Sequence, residues 1–134
     1  MEARGIHHVG VAVADLDEAV RTYERLFGGR LEHRSQVDDQ GVEAASICVG
    51  SSRIELLASL GDDTPVGKFL AKRGPGMHHV AYEVDDVRAA IAELAAGGAE
   101  LIDREPRQGM FGLEVAFIEP GSVHGVLSEV VSGG

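Results

Sequence analysis

One stretch of this sequence occurs twice. Ile6-His7-His8-Val9-Gly10-Val11-Ala12-Val13 returns 71 positions later as Met77-His78-His79-Val80-Ala81-Tyr82-Glu83-Val84, and the acidic turn and amphipathic segment after each copy match as well. A chain built this way folds as two copies of one supersecondary unit, because each copy carries the same apolar pattern and the same turn signals. Histidine in both copies adds a chemical expectation: two similar modules facing each other across one metal site.

The helical segments repeat most faithfully. Leu16, Ala19, Val20, Tyr23, Leu26 and Phe27 follow the spacing of a helix with one buried stripe. Asp15, with Glu18 three residues on, resembles a capping box, and Gly28-Gly29 offers a stop. In the second copy, Val87, Ala90, Ile91 and Leu94 hold the stripe, Asp86 stands for Asp15, and Gly97-Gly98 ends the helix. After each helix come short β-type runs separated by glycine and polar turns: about Leu31 to Gln36, Glu43 to Val49 and Arg53 to Leu57, then about Leu101 to Arg104, Glu114 to Ile118 and Val126 to Val131. Each half therefore reads strand, helix, strand, strand, strand, over residues 5–60 and 76–132. Between them, in 61–75, Thr64 and Pro65 begin a short connector helix carrying Val66, Phe69 and Leu70, which Gly74-Pro75-Gly76 breaks. The fold class expected is α+β, with two tandem βαβββ modules in one domain, 1–134, forming a curved sheet around a cleft.

Bulk properties bound the function. With 134 residues, 44% of them hydrophobic, the chain can bury one real core. A formal charge of -10 argues against nucleic acid, whose phosphates this field would repel. An anionic small ligand would need local Arg or Lys. The single cysteine, Cys48, cannot close an intrachain disulfide, no signal-like opening is evident, and no apolar run approaches the roughly 20 residues that cross a bilayer. A soluble, cytoplasmic protein is expected.

The chemistry concentrates on a few residues. His7 and His8 are adjacent on a strand and point to opposite faces, so only one can enter the cleft; the same holds for His78 and His79. Near the end of each half an acid stands among aliphatics, Glu55 in Ile54-Glu55-Leu56-Leu57 and Glu129 in Leu127-Ser128-Glu129-Val130. Burying a carboxylate there requires pairing or a cation. Two imidazoles and two carboxylates suit a divalent first-row metal with coordination positions left open for water or substrate, which points to catalysis.

These residues resemble the vicinal oxygen chelate superfamily, and within it the methylmalonyl-CoA epimerase family, over almost the whole chain. The stretches that carry the resemblance are His8-Val9-Gly10-Val11-Ala12-Val13, Asp39-Gln40-Gly41-Val42, Ile54-Glu55-Leu56-Leu57, Pro65-Val66-Gly67-Lys68-Phe69-Leu70, Gly76-Met77-His78-His79-Val80, Glu105-Pro106-Arg107 and Gly125-Val126-Leu127-Ser128-Glu129. The resemblance implies a metal held by His8, Glu55, His79 and Glu129, with His7 and His78 facing away. The ion would be a divalent one: Co, Mn, Ni, Zn or Mg. It further implies an isomerase that moves a proton off and back onto the carbon between a thioester and a carboxylate of an acyl-CoA, through a metal-stabilised enolate, and a homodimer. Glu129 is the implied base as well as a ligand. Some members place a second base in Gly-Val-x-Glu, but this chain reads Gly41-Val42-Glu43-Ala44, so that role is unassigned; Glu43 faces the other way unless a bulge rotates it. For the coenzyme A arm the available cations are Lys68, Lys72, Arg73, Arg104 and Arg107, with Arg107 favoured because neighbouring glycines let backbone amides approach an anion.

Three other readings share the fold. A glyoxalase-type lyase or isomerase would use the same ligands on a thiol adduct. An extradiol dioxygenase resembles a two-histidine, one-glutamate iron site and fits a short chain with four candidate ligands less well. A non-catalytic drug-sequestering protein would not be expected to retain all four.

Overall fold

The computed structural model describes residues 1–132. The chain separates into two compact units, His8–His78 and Met1–His7 together with His79 onward.

The His8–His78 unit holds most of β1 (Gly5–Ala12), then α1 (Leu16–Phe27), β2 (Arg30–Val37), β3 (Val42–Val49), β4 (Ser52–Ser59) and α2 (Pro65–Arg73). Its strands lie in the order β2-β3-β4-β1, antiparallel except for the parallel pair of β4 with β1. Asp15 starts α1 by accepting the Glu18 N–H at 3.0 Å. Gly28 ends it in the left-handed conformation, φ 66°, that a side chain would oppose. The apolar stripe, Leu16 and Val20, packs on Ala45, Ile47 and Leu56. Strand alternation then turns the residues between them to the other face: Ala44 opposite Leu57, and Ser46 opposite Glu55.

Helix α2 begins as its sequence predicts. The Thr64 hydroxyl accepts the Gly67 N–H at 3.0 Å, and Pro65 takes the first helical position. Thr64 also shares a hydroxyl contact of 2.5 Å with Ser59, and Ser59 donates to the Gly61 carbonyl. This knot draws the 61–62 backbone so close to Gly67 that a Cβ there would lie 2.2 Å from the Gly61 oxygen.

The other unit holds most of β5 (Gly76–Val84), then α3 (Val87–Ala96), β6 (Arg107–Gln108), β7 (Glu114–Ile118) and β8 (Ser128–Ser132). Its strand order, β5-β8-β7-β6, repeats the first topology, with β5 and β8 parallel and the other pairs antiparallel. Asp86 caps α3 through the Ala89 N–H at 3.1 Å. Val87, Ala90 and Ile91 pack on Val84, Ala116, Ile118 and Val130. The opposite face carries Ala81, Val115 and Val131, and the β7/β8 register adds Phe117 opposite Glu129.

The paired βαβββ architecture expected from the repeat is thus the observed one. The strands of the first half extend one or two residues beyond the expected bounds, and two strands of the second half differ more. Leu101–Arg104 is not a strand: only Leu101 makes an isolated bridge, to Ile118. The N–H groups of Ile102 and Asp103 both reach the Phe117 carbonyl, at 3.0 and 3.3 Å, and the Asp103 side chain takes the Phe117 N–H at 2.9 Å, so a side chain replaces the next ladder bond. The two-residue β6 follows the Glu105-Pro106 turn instead. Strand β8 starts at Ser128 and not at Val126, because the Val126 N–H closes a turn onto Val123 at 3.1 Å.

Candidate metal centre

Within the His8–His78 unit, the parallel register sets Gly10 beside Glu55, and alternation along β1 turns His8 to the same face as Gly10. His8 Nε2 lies 3.6 Å from Glu55 Oε1. In the other unit, Ala81 is beside Glu129, and His79 Nε2 lies 3.5 Å from Glu129 Oε1. Glycine and alanine, the two smallest residues, hold these repeat-related positions beside the carboxylates. The three-residue drift between the two acids is absorbed in the turns, and each half presents one His–Glu pair in the same geometry.

All four side chains are removed from water: His8 is 4%, Glu55 9%, His79 1% and Glu129 2% exposed. A carboxylate so deeply buried needs a cation or donated hydrogen bonds. The pair spacing is longer than the usual N–H···O range of about 2.7–3.2 Å. It is close to the roughly 3.0–3.4 Å that separates two atoms each about 2.1 Å from a common ion at angles between 90° and 110°. The donor set therefore fits a borderline divalent metal.

The neighbouring histidines take other places. His78 packs edge-on against Phe69 of α2, with ring centroids 5.0 Å apart, and the Arg73 guanidinium lies 5.6 Å from the centre of the same Phe69 ring. His7 is buried, one strand position before His8.

Glu43 is placed by an unbroken stretch of ladder, since the only irregularity in the β2/β3 register falls between Leu31 and His33. Its carboxylate accepts from Arg34 Nε at 3.1 Å, and Arg34 reaches on to Asp17 of α1 at 2.6 Å. It belongs to the helix-side face, while the buried Ala44 lies on the face of Glu55.

Arg107 makes two N–H bonds to Asp103 Oδ1, at 3.0 and 2.6 Å, and its side chain is about a third exposed. Its guanidinium carbon stands 5.9 Å from the Phe117 ring centre. Asp103 and Phe117 escaped the sequence reading; the one available signal was an acid directly after the apolar pair Leu101-Ile102.

A second polar group missed in the sequence surrounds Ser46. Glu32 accepts from Arg53 Nε at 2.5 Å and from the Ser46 hydroxyl at 2.6 Å. Arg53 is the main reason the Glu32 carboxyl falls from 4.5 to about 2; burial opposes the shift, and Ser46 and Cys48 assist it. The Cys48 thiol is pushed up, first by burial and then by its bond to Glu32. A carboxylate this acidic is a weak proton acceptor near neutrality.

Comparison with known proteins shows what the chain is similar to. The family model described as "Glyoxalase/Bleomycin resistance protein/Dioxygenase superfamily" matches residues 7–117. An ethylmalonyl-CoA/methylmalonyl-CoA epimerase of Cereibacter sphaeroides is 35% identical over 127 residues, covering 93% of this chain and 95% of the relative. The crystal structure of methylmalonyl-CoA epimerase from Mycobacterium tuberculosis superposes with a TM-score of 0.94 at 37% identity, over 98% of this chain and 89% of that one. A methylmalonyl-CoA epimerase in complex with methylmalonyl-CoA and NH4+ gives 0.95 at 36% identity, over 98% and 96%.

Proposed function

Because the chain belongs to the glyoxalase/bleomycin resistance protein/dioxygenase superfamily, we propose that it is a metal-dependent epimerase that interconverts the two epimers of methylmalonyl-CoA. The observation that carries this reading is the buried His–Glu pair at matching positions of both halves, 3.6 Å apart in one and 3.5 Å in the other. Relatives and structural neighbours named for this activity, at about a third identity over nearly the whole chain, support the substrate.

In this proposal His8, Glu55, His79 and Glu129 hold the ion; His8, His79 and Glu129 are buried side chains able to ligate one. A divalent ion bound there supplies Lewis-acid stabilisation of the charge that develops on the substrate oxygens, worth several kcal/mol. Glu129 removes the proton from the carbon between thioester and carboxylate and holds it on its carboxyl group. Its burial keeps bulk water from competing for that proton. Return of a proton to the opposite face completes inversion, which calls for a second acid/base group; Glu43 is not that group, since it faces α1. Arg107, already oriented by Asp103, offers its exposed edge to an anionic part of the acyl-CoA.

Assembly as a homodimer and residence in the cytoplasm complete the proposal. The exposed Leu26, Phe27 and Leu31 offer apolar surface to a second copy, and no described helix is long and apolar enough to cross a membrane. The test is incubation of the Co²⁺- or Mn²⁺-loaded protein with one epimer in heavy water. Deuterium should appear at the α-carbon along with the other epimer; metal-bound protein that leaves the α-proton unexchanged would refute the assignment.

A further inference from the structure

Building on the metal-site reading, we propose that Asp103 and Arg107 are positioning residues: through Phe117 they fix the plane of the His79 ring and hence the direction of its ligating nitrogen. Every link lies in one compact unit. Asp103, nearly buried, divides its carboxylate between two tasks. Oδ1 takes both Arg107 N–H bonds, at 3.0 and 2.6 Å, and Oδ2 takes the Phe117 N–H at 2.9 Å. The Phe117 carbonyl in turn accepts from Ile102 and Asp103, at 3.0 and 3.3 Å, so the Phe117 backbone is held on both sides by one short segment.

The ring is held as well. The Arg107 guanidinium stands 5.9 Å from its centre, a cation–π distance that orients both groups. Phe117 then meets His79 edge to face, with centroids 5.6 Å apart and planes at 82°. That edge-to-face packing favours one orientation of the imidazole plane. The same phenylalanine is the cross-strand partner of Glu129, so one aromatic plate borders both members of the His79–Glu129 pair.

The duplication indicates that this is a device of one half and not a requirement of the module. In the other half the residue opposite Glu55 is Ser46, whose hydroxyl turns to Glu32, so a serine stands at the place that Phe117 holds here. Groups that orient a metal-bound histidine from behind typically change metal affinity about 10- to 100-fold when removed.

The experiment is a Co²⁺ titration of the wild-type chain and of Asp103→Asn, Arg107→Gln and Phe117→Leu, followed by visible absorption and paired with metal-free thermal unfolding. The wild type should bind Co²⁺, and the variants should bind about 10- to 100-fold more weakly with a displaced d–d band. A merely structural role would lower the unfolding temperature and leave the band and the affinity of the folded protein unchanged; that result in Phe117→Leu overturns the inference even if Asp103→Asn fails to fold. A wild-type chain that takes up no Co²⁺ overturns the metal-site reading itself, and the inference with it.

Discussion

Replacing Glu129 with glutamine separates the two tasks proposed for this side chain. Glutamine keeps the shape and one oxygen but loses the charge and the ability to hold a proton reversibly. In the wild type, an ion present at a hundred times its dissociation constant adds about 2.7 kcal/mol to stability. For a domain of 134 residues, the unfolding entropy is roughly 0.28 kcal/mol per degree, so metal should raise Tm by about 10 °C. In Glu129→Gln a hundredfold weaker affinity leaves about 0.4 kcal/mol at the same ion concentration, a gain of about 1.5 °C. The metal-free variant should behave in the opposite sense. Glu129 is 2% exposed; a buried ion costs on the order of several kcal/mol, against about 1–3 kcal/mol for a buried amide, so metal-free Glu129→Gln should melt above the metal-free wild type. Exchange of the substrate α-proton, followed by mass spectrometry in heavy water, should fall by about 10²- to 10⁴-fold. A metal-free variant that melts lower than the wild type, with a metal increment still near 10 °C, would show that Glu129 carries no buried charge that the ion neutralises, and the reasoning would be wrong.

Other expectations can be checked with similar tools. Gly67→Ala places a Cβ 2.2 Å from the Gly61 oxygen and 3.0 Å from that of Asp62, so it should cost about 3 kcal/mol, or roughly 10 °C in a thermal melt; an unchanged Tm would mean the loop yields freely. The Glu32 carboxyl is depressed from 4.5 to about 2, so its contribution is complete above pH 4.5 and is lost as the pH falls through about 2. Glu32→Gln should therefore destabilise the protein at neutral pH and flatten the acid limb of the stability curve in that window. Parallel acid limbs for the two proteins would contradict it. Glu43→Gln, which alters a carboxylate on the α1 side of β3, should leave α-proton exchange within about twofold of wild type, whereas a large loss would return Glu43 to the site.

Much of this molecule could be read from the chain because its signals are local. Asp15 and Asp86 announce helix starts three residues ahead of the N–H groups they cap, and alternation about His8 and His79 decides which imidazole shares a face with an acid. The repeat supplied the topology, since a module that buries one face of its strands against its own helix has few other ways to pair them. What escaped were side chains substituting for backbone. At Asp103 an acid completes the hydrogen bonding of Phe117, so a β-prone pair, Leu101-Ile102, ends after a single bridge. The cluster of Glu32, Ser46 and Arg53 joins three strands, and only register, which the β2 irregularity after Leu31 shifts, brings such residues together. Likewise, the edge-on contact of Phe117 with His79 spans a strand order that sequence distance does not encode.

The unlike neighbours of the two glutamates carry a consequence for how a duplicated motif ages. Glu55 sits opposite a hydroxyl that belongs to a polar, arginine-anchored cluster, while Glu129 sits opposite a benzene ring. Two copies that share the same imidazole and the same acid thus differ in what lies across from each glutamate, a polar, charged cluster in one and an aromatic ring in the other. On the proposed reading this amounts to a division of labour between the repeated halves: the carboxylate beside the polar cluster clasps the cation alone, and the one beside the ring clasps it and also ferries hydrogen. Selection could then tune either copy through its cross-strand neighbour, leaving the clasping atoms untouched.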